Sequence, residues 1–519
     1  MTVAGAAPAP SPRLLARRCL DEVPLLLGIF LGSASLLAHV HAQAGVLSGS
    51  DWQVYLDSAA ALARTGLPWM RVHDWRGLLH PLVVSQLGAH QGYAASAATV
   101  SAAAAVIAVG SAGLLGRALS GSVAGGMAAL AASAFQPLRE ASVWLNSYSL
   151  QGATVGAAFA FGAAACRWPG IGLSFLAGVV AALARIADPR GLVATPVVLV
   201  LVAAGATATS KRRAVAILVV TAVGLTAPVW AADRYSVAHG IQFRSLQEVI
   251  HSQQAVQAGG ALDVPSVRAR CHGESPDVRA LLGECATTLR SENLTFLSQT
   301  TRIPDARLLW LGLGLLLPAW WGWRSTLACV VVFAVPLVGE FVSLSLVGQD
   351  KRYLVWLTVP FAAFVPVAVG RMTESLTRLR FPPLGAALIA LPTTAFLVTR
   401  IVPIPVLVRA KADDRLTLAT WARTTLQGAD TMLDCADASI VELVLPARIS
   451  TRPLPADSPE CPQYAASPPA TTGRVFLVTS PTTRPAEPMN SALRSGGWTQ
   501  VQCGGSGPPC SEYLVWQAP

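Results

Sequence analysis

The sequence predicts a mainly α-helical membrane protein that crosses the bilayer many times and carries a small outer α/β domain at its C-terminus. Of its 519 residues, 53% are hydrophobic and 13% are charged. Soluble domains usually have a charged fraction of about 25%. Apolar stretches of about 17 to 22 residues, which fit the thickness of the hydrocarbon core, recur along the chain. These observations exclude an ordinary soluble globular protein.

About eleven transmembrane helices can be placed on the apolar stretches. They are predicted at residues 22–40, 94–115, 121–137, 149–166, 170–185, 191–208, 214–232, 306–322, 325–346, 353–370 and 384–404. The predicted regions are a cytoplasmic N-terminal tail at 1–21, a transmembrane domain at 22–404 with outer loops at 39–93 and 233–305, and an extracytoplasmic α/β domain at 405–519. The first apolar run lacks a small-residue cleavage site, so we expect that it stays attached.

The net charge of +10 is explained by this topology. The short inner segments carry many cations and few acids, as the positive-inside rule requires. These cations are Arg13, Arg17, Arg18, Arg117, Arg167, Lys211, Arg212, Arg213, Arg324, Arg371, Arg378 and Arg380. The outer segments are nearly balanced in charge, and no basic groove interleaved with aromatic residues is present. We therefore expect the plasma (inner) membrane as the location and no nucleic acid as a partner.

Six of the nine cysteines fall in segments predicted to lie outside the cytoplasm. An even number of cysteines there suits disulfide bonds in an oxidising compartment. Pairs of nearest neighbours are the expected connectivity, although other pairings are open: Cys271 with Cys285, Cys435 with Cys461, and Cys503 with Cys510. A zinc site is the alternative, but it would require CxxC or Cys/His spacing, which is missing.

The predicted outer domain begins with a helical pattern, DDRLTLATWARTTL, and continues with strand-like runs separated by proline-rich turns. The strand-like runs are SIVELVL, RVFLVTS and CSEYLVWQ. This order predicts an α/β module that covers part of the outer face.

A short helix with an acid immediately before it follows the first span, in the stretch SGSDWQVYLDSAAALARTGLPW. Its apolar residues recur at intervals of three and four: Trp52, Tyr55, Leu56, Ala59, Ala60 and Ala63. This spacing is typical of an amphipathic helix that lies flat on a membrane surface, here the outer leaflet. Asp51 can be the N-cap of this helix, or it can have a chemical role.

The first outer loop resembles that of the glycosyltransferase-C superfamily. The resemblance rests on an acid at the end of the first span, a Tyr and an Ala-rich helix ending in Gly-x-Pro, and Leu-x-His-Pro before the second span. In detail the loop resembles bacterial protein O-mannosyltransferase-like and lipid A aminoarabinose transferase-like enzymes, which take sugars from polyprenyl-phosphate carriers. The resemblance implies that Asp51 is the base that activates the acceptor, with Tyr55 and His80 at the substrate. For His80, packing or capping is the alternative.

Two further segments resemble the same superfamily, ALARIADPRGLVATPVVLV (182–200) and GQDKRYLVWLTVPFAAF (348–364). Physical reasoning supports them independently, because cations at an outer membrane boundary are not needed for topology. They are expected to bind the anionic phosphate of the donor: Arg185, Arg190, Lys351 and Arg352, with Tyr353 beside them. Alternatively, the cations snorkel, and Tyr353 and Trp356 belong to the aromatic belt. Asp188 and Asp350 are expected to orient the cations, and a role in metal binding stays open.

Two more acids are candidates for a role at the site. Glu340 lies within a predicted span about two turns from its outer end, where an ionisable group is costly and functional by default. Its expected partner is Arg185 or Arg352, and a structural ion pair is an alternative to a catalytic role. Many members of the superfamily have a second acid near the span that starts at 149, where REASVWLNSYSLQG offers Glu140 and then Asn146, Tyr148 and Gln151. Glu140 replaces that acid or pairs with Arg139, so the metal requirement stays open.

The resemblance, together with these residues, implies a glycosyltransferase at the outer face of the plasma membrane. It is expected to move a sugar from a polyprenyl-phosphate carrier to an acceptor in the cell envelope, a glycan, lipid or protein. The expected mechanism is a single inverting displacement, with Asp51 as general base. Cations stabilise the departing phosphate, and a requirement for a divalent metal stays open. The alternatives are a transporter or flippase of lipid-linked substrates and a noncatalytic envelope scaffold.

Overall fold

The computed structural model describes residues 12–42, 52–63, 77–238, 322–347, 351–378, 418, 421–422, 424–435, 450–453, 460–479, 486–501 and 514–519. The helices of the part before residue 379 are α1 Pro12–Ala42, α2 Trp52–Ala63, α3 Leu79–Gln91, α4 Tyr93–Ser120, α5 Ser122–Ala134, α6 Gln136–Ala141, α7 Tyr148–Arg167, α8 Ile171–Ala187, α9 Ala194–Ala206, α10 Lys211–Ala238, α11 Trp323–Val347 and α12 Thr358–Arg378. Two 3₁₀ helices, η1 Pro189–Val193 and η2 Lys351–Leu357, precede α9 and α12.

The described helices include six that are long and apolar enough to cross a membrane, by length and composition. They are Leu20–His41, Tyr93–Ser120, Tyr148–Arg167, Lys211–Ala238, Trp323–Glu340 and Leu354–Met372. Three shorter apolar helices are Ser122–Ala134, Ile171–Ala187 and Arg190–Ala206. These helices coincide with the predicted spans except for two. The predicted span at 384–404 lies outside the described residues, as does the span at 306–322 except for its last residue. The chain is a mostly helical membrane protein.

Helix α7 is the central element of the bundle. In the apolar 18-residue stretch of α7, 89% of the residues are buried inside the protein, compared with only 17% in the corresponding stretch of α10. Helix α7 packs against α4, α8, α9 and η2, and its buried residues are mostly Ala and Gly. Small side chains allow the neighbouring helices to approach it closely, which favours van der Waals contact between helices in a membrane.

Several helix contacts occur at glycines where a side chain would not fit. A Cβ added at Gly126 of α5 would overlap the carbonyl oxygen of Pro24 in α1, and one at Gly28 would overlap the backbone of Gly126. In α7, a Cβ at Gly156 would overlap the side chain of Val359 in α12. The packing of α1, α5, α7 and α12 therefore depends on glycines, whose lack of a side chain leaves room for the neighbouring helix.

A charged cluster marks the end of the bundle at which α1 begins and α4 ends. Arg117 Nε donates to Glu22 Oε2 at 2.7 Å, and Ser122 Oγ donates to the same oxygen at 2.9 Å. Nearby, Arg167 Nη1 donates to Ala118 O at 3.0 Å. We call this end the arginine end, and the other, where α2, α3, η1 and η2 lie, the α3 end.

Helix α2 packs against protein along the described part of its apolar face. Leu56 and Ala59 are buried in one cluster with Val84 of α3 and Ala97 of α4. The sequence predicted that this face lies on the outer leaflet. It is instead covered because α3 and α4 form a hairpin, turning at Gly92 with φ 88°, that offers an apolar surface to α2.

The described tail contains a five-stranded mixed sheet with strand order β2-β1-β3-β5-β4. The strands are β1 Thr431–Asp434, β2 Ser450–Pro453, β3 Val475–Thr479, β4 Thr499–Val501 and β5 Leu514–Gln517, with helices α13 Glu460–Ala466 and α14 Ala486–Ser495. Strand β1 pairs with β2 and β3 in parallel, whereas β5 pairs with β3 and β4 antiparallel. Apolar clusters cover both faces of the sheet.

Two cross-links tie the tail together. A disulfide joins Cys435, directly after β1, to Cys461 in α13. Asp430 accepts hydrogen bonds from the backbone nitrogens of Gln427 and Arg474 at 2.8 and 3.0 Å, and from Arg474 Nη2 at 2.7 Å. Although burial raises the pKa of Asp430, these hydrogen bonds outweigh that effect and hold its pKa below the usual range.

The strands agree only in part with the sequence-based expectations. The runs RVFLVTS and CSEYLVWQ contain β3 and β5, and the described residues between 418 and 425 are helical, as DDRLTLATWARTTL predicted. Strands β1, β2 and β4 were not predicted. The run SIVELVL lies outside the described residues, as do Cys271, Cys285, Cys503 and Cys510.

The glycine contact between α1 and α5 is testable with a matched pair of substitutions. Gly126→Ala is expected to destabilise the protein by about 1–3 kcal/mol, because the new Cβ overlaps the Pro24 carbonyl. Gly110→Ala in α4 is the control, since its Cβ meets nothing within 4 Å, and it should be neutral or stabilising by up to about 1 kcal/mol. Unfolding in detergent by circular dichroism measures both, and equal effects would contradict the packing argument.

Candidate functional site

The candidate site lies at the α3 end, where several elements meet. The segment that leads into α3 contacts the last turn of α8, because Gly77 is packed against the backbone of Ala187. On the other side, η2 packs against the start of α7, where Gly152 is packed against Val355. The first turns of α3 and α7, the end of α8 and η2 are therefore neighbours.

Tyr55 fixes α2 to the segment before α7. It is 1% exposed, and its hydroxyl accepts a hydrogen bond of 2.9 Å from Ser147 Oγ. Its ring also meets the ring of His80 edge-on, with 5.4 Å between the centroids. Since Asp51 immediately precedes α2, these contacts fix the position of the helix that follows the predicted base.

His80, in the first turn of α3, is fully buried. Neither ring nitrogen has a hydrogen-bond partner among the described residues. Burial lowers the pKa of His80 to about 3, so the ring is neutral at physiological pH. A neutral imidazole packed against the Tyr55 ring can form a hydrogen bond, but it has no positive charge with which to bind a phosphate.

The polar residues just before and within the first turn of α7 are buried: Asn146, Ser147, Tyr148, Ser149 and Gln151. Asn146 Oδ1 accepts from the backbone nitrogen of Tyr148 at 3.2 Å, while Ser101 Oγ of α4 donates to Trp144 O at 2.6 Å. Gln151 is fully buried, and neither end of its amide is hydrogen bonded to a described residue. Buried amides normally have partners, so Gln151 has hydrogen-bonding capacity to offer.

Glu340 forms the second part of the site. It is fully buried in α11, and its Oε2 accepts a hydrogen bond of 2.6 Å from Trp356 Nε1 of η2. The charges of Arg190 and Asp188 both act on it. Gly339, one residue earlier, contacts Val193 of η1 and the Trp356 ring, which places α11 between η1 and η2.

Asp188 and Arg190 are brought together by the turn that ends α8. Asp188 is 4% exposed, and its Oδ1 accepts from the backbone nitrogen of Arg190 at 2.9 Å, an arrangement that starts η1. This turn holds Arg190 beside Glu340. Among the described residues, Arg190 is thus the cation that acts on Glu340, whereas the sequence suggested Arg185 or Arg352.

The structure places the remaining predicted residues as follows. Arg185 is exposed on the last turn of α8. Glu140 Oε1 accepts a hydrogen bond of 2.8 Å from Gln136 Nε2, one turn earlier on α6. Lys351, Arg352 and Tyr353 are the first three residues of η2. The structure describes the backbone at these positions.

Asp51 and Asp350 lie outside the described residues. Within the described part of the chain, no group of three or more His, Cys, Asp and Glu side chains is placed to hold a metal ion. The described carboxylates Asp188 and Glu340 lie near Arg190, which makes this place less suitable for a divalent cation than a cluster of acids.

Ser147 and Trp356 are site residues that the sequence did not single out for a role here. Ser147 donates a hydrogen bond to Tyr55, which lies 92 positions earlier in the sequence, and Trp356 donates one to Glu340. For Ser147 a signal existed, because NSYSLQG is unusually polar for the start of a span. For Trp356 the signal indicated the aromatic belt, whereas the side chain is 2% exposed and hydrogen bonded inside the protein.

The buried, neutral state of His80 predicts a specific dependence of stability on pH. An unfolded histidine titrates near 6.5, so below this pH the unfolded chain binds a proton that the folded chain does not bind. The free energy of unfolding should fall as pH drops from 6.5 towards 3, with a contribution of about 2 kcal/mol lost by pH 5. His80→Gln should remove this contribution.

Unfolding of wild type and His80→Gln in detergent between pH 5 and 8 measures the difference. His41→Gln changes an exposed histidine of α1 and is the control. The same pH slope in wild type and His80→Gln would show that His80 is not a buried neutral group.

The fold has counterparts among solved structures, although the sequence itself matches no protein-family profile and no curated protein. ArnT from Cupriavidus metallidurans in the apo state has a TM-score of 0.52 and 13% identity, over 95% of this chain and 97% of that chain. The same protein bound to undecaprenyl phosphate has a TM-score of 0.50, with 13% identity and the same coverage.

The Archaeoglobus fulgidus oligosaccharyltransferase, in complex with Zn and sulfate, has a TM-score of 0.45 and 13% identity over 83% of this chain. The matched region spans 62% of the length of that larger protein. The likeness to ArnT extends over nearly the whole of both chains and concerns the fold. This chain has the fold of the glycosyltransferase-C superfamily, as the resemblance of its first outer loop predicted.

Proposed function

We propose that the protein is a membrane glycosyltransferase that moves a sugar from a polyprenyl-phosphate carrier to an acceptor in the cell envelope. The observation that supports this proposal is that α11, η1 and η2 meet at Glu340, at the same end of the bundle at which Tyr55 holds α2 to Ser147. The segments proposed to act on acceptor and donor therefore lie at one end of the bundle, although they are far apart in sequence.

The fold supports a lipid-linked donor. ArnT, which shares this fold, has been solved with undecaprenyl phosphate bound. A polyprenyl chain requires an apolar environment beside its phosphate, and a bundle of membrane helices offers one. The donor of this chain is proposed to bind in the same general way, with its phosphate at the α3 end.

The donor phosphate is proposed to lie near η1 and η2. Lys351 and Arg352 begin η2, and Tyr353 follows them, while η1 carries Arg190 and the last turn of α8 carries Arg185. The hydrogen bond from Trp356 to Glu340, and the charge of Arg190 acting on Glu340, link η2 to η1. Cations held in this way stabilise the negative charge that develops on the leaving phosphate.

Glu340 and Asp188 are proposed to position these cations. Glu340 is fully buried and Asp188 is nearly so, and both act together with Arg190. Glu340 accepts a hydrogen bond from Trp356 of η2 and is acted on by Arg190 of η1, so one buried acid joins the two segments that carry the cations. Glu140, which is hydrogen bonded by Gln136, is less suited to a role in the reaction.

Asp51 is proposed as the general base for the acceptor. It immediately precedes α2, the helix that Tyr55 fixes through Ser147 and His80. A carboxylate here removes the proton of the acceptor group as the nucleophile attacks the anomeric carbon. The carrier phosphate leaves with the electrons of the broken bond, which gives inversion in a single step.

The proposed topology follows the charge distribution. The arginine end is assigned to the cytoplasm by the positive-inside rule, and the α3 end and the tail to the outer face of the plasma membrane. Cysteine pairs 271–285 and 503–510 are proposed in the outer segments, beside the Cys435–Cys461 disulfide.

Asp51→Asn tests the base, and Asp57→Asn, the other acid of the same short segment, is the matched control. Asp51→Asn should reduce transfer by about 10²-fold or more, the lower range of a general-base contribution. Asp57→Asn should keep most activity. The measurement combines envelope glycans and lipid-linked sugars in cells with protein levels in the membrane, and the donor should accumulate in the Asp51→Asn cells.

Normal glycans in Asp51→Asn cells that contain normal amounts of the protein would refute the base assignment. Purified protein in lipid vesicles separates an enzyme from a transporter. A transferase releases polyprenyl phosphate from a labelled polyprenyl-phosphate sugar only when an acceptor is present, whereas a flippase moves the intact donor between leaflets. Movement without bond cleavage would overturn the proposed function.

A further inference from the structure

A cavity of about 400 Å³ lies at the arginine end, on the side of the bundle opposite the proposed site. It is bounded by the ends of α4, α7 and α12 and by the start of α11. Its charged lining residues are Arg167, Arg324, Arg371 and Glu374. The proposed glycosyl transfer uses none of them.

Arg371 is the central cation of this cavity. The residue is only 2% exposed, and its Nη2 donates to Leu119 O at 3.1 Å and to the hydroxyl and the carbonyl of Ser325. The carbonyl and hydroxyl oxygens orient the guanidinium, and the carboxylate of Glu374 acts on its charge.

The cavity has more positive than negative charge. Glu374 is the single carboxylate among its described lining residues, against three guanidinium groups, which leaves an excess of two positive charges. The charges of Glu374 and Arg167 both act on Arg371. Arg167 is additionally fixed by its hydrogen bond to Ala118 O.

Topology alone does not explain this arrangement. The positive-inside rule requires cations in cytoplasmic segments, and exposed residues such as Arg212 satisfy it. It does not require an arginine that is buried between helices and faces a cavity. Basic pockets between membrane helices on the cytoplasmic side are a known way of binding anionic lipid head groups.

We propose that this cavity binds a phosphate group at the cytoplasmic surface, with Arg324 and Arg371 as its main ligands and Arg167 at its edge. The phosphate is carried by an anionic phospholipid of the inner leaflet or is free in solution, and both present the same chemistry. Ser325 and Trp323 line the cavity beside the arginines and provide a hydroxyl and an aromatic edge for the same ligand. This inference does not depend on the proposed function.

The test measures the thermal unfolding of the full chain in a neutral detergent. Short-chain phosphatidylglycerol, phosphatidylcholine and inorganic phosphate are added separately. Phosphatidylglycerol should raise the midpoint of unfolding with concentration, and phosphatidylcholine should not, since its head group has no net charge. A rise with inorganic phosphate alone would assign the site to a free anion, and a rise with phosphatidylglycerol alone would assign it to a lipid.

Substitutions then locate the site. Arg324→Gln should weaken the apparent affinity about tenfold, as expected for the loss of one charged ligand worth about 1.4 kcal/mol. Glu374→Gln should strengthen the apparent affinity, because this substitution removes the carboxylate that repels the phosphate. A gain in affinity cannot be explained by a loss of folding. Arg212→Gln, a change of the same charge outside the cavity, should leave the affinity unchanged.

Equal weakening in Arg324→Gln and Arg212→Gln would show that only the general positive charge attracts the anion, and would overturn the proposal. So would an unchanged affinity in both Arg324→Gln and Glu374→Gln, or the lack of a response to either phosphate source.

Discussion

Close contact between helix backbones is the constraint on which the rest of this structure depends. Within a bilayer the hydrophobic effect does not drive helices together. Membrane helices associate through van der Waals contact instead, and small residues allow the backbones to come close enough for it. In this chain Gly126 meets Pro24, Gly156 meets Val359 and Gly152 meets Val355. The last two contacts hold α12 and η2 against α7, so that the position of Trp356 and of the cations that begin η2 follows from glycines in α7.

A single buried carboxylate then organises the α3 end. Glu340 accepts from the indole of Trp356 and is acted on by Arg190, while Asp188 holds the turn that places Arg190. Three separate elements, α11, η1 and η2, meet at this acid. This arrangement needs fewer groups than a set of pairwise salt bridges, because one side chain interacts with groups from two 3₁₀ helices. A second set of contacts, between Tyr55, Ser147 and His80, independently fixes α2.

In the described part of the chain the sequence predicted where the apolar helices lie, because hydropathy and length report directly on the fit of a helix to a bilayer. It identified Tyr55, His80, Arg190 and Glu340 as residues of interest, but not their partners. The partner of Tyr55 is 92 positions away, and amphipathicity gives the direction of a helix face without saying whether lipid or protein covers it. Strands of three or four residues such as β4 and β1 have too few positions to show a period.

The direct continuation of η2 into α12 joins the two ends of the bundle in one element. No loop separates Leu357 from Thr358, so Trp356 and Arg371 belong to one helical segment about 22 Å long, at about 1.5 Å per residue. Pro366 lies within this segment and removes one backbone hydrogen bond from it. The indole that donates to Glu340 and the guanidinium that donates to Leu119 therefore anchor the same segment at opposite ends of the bundle.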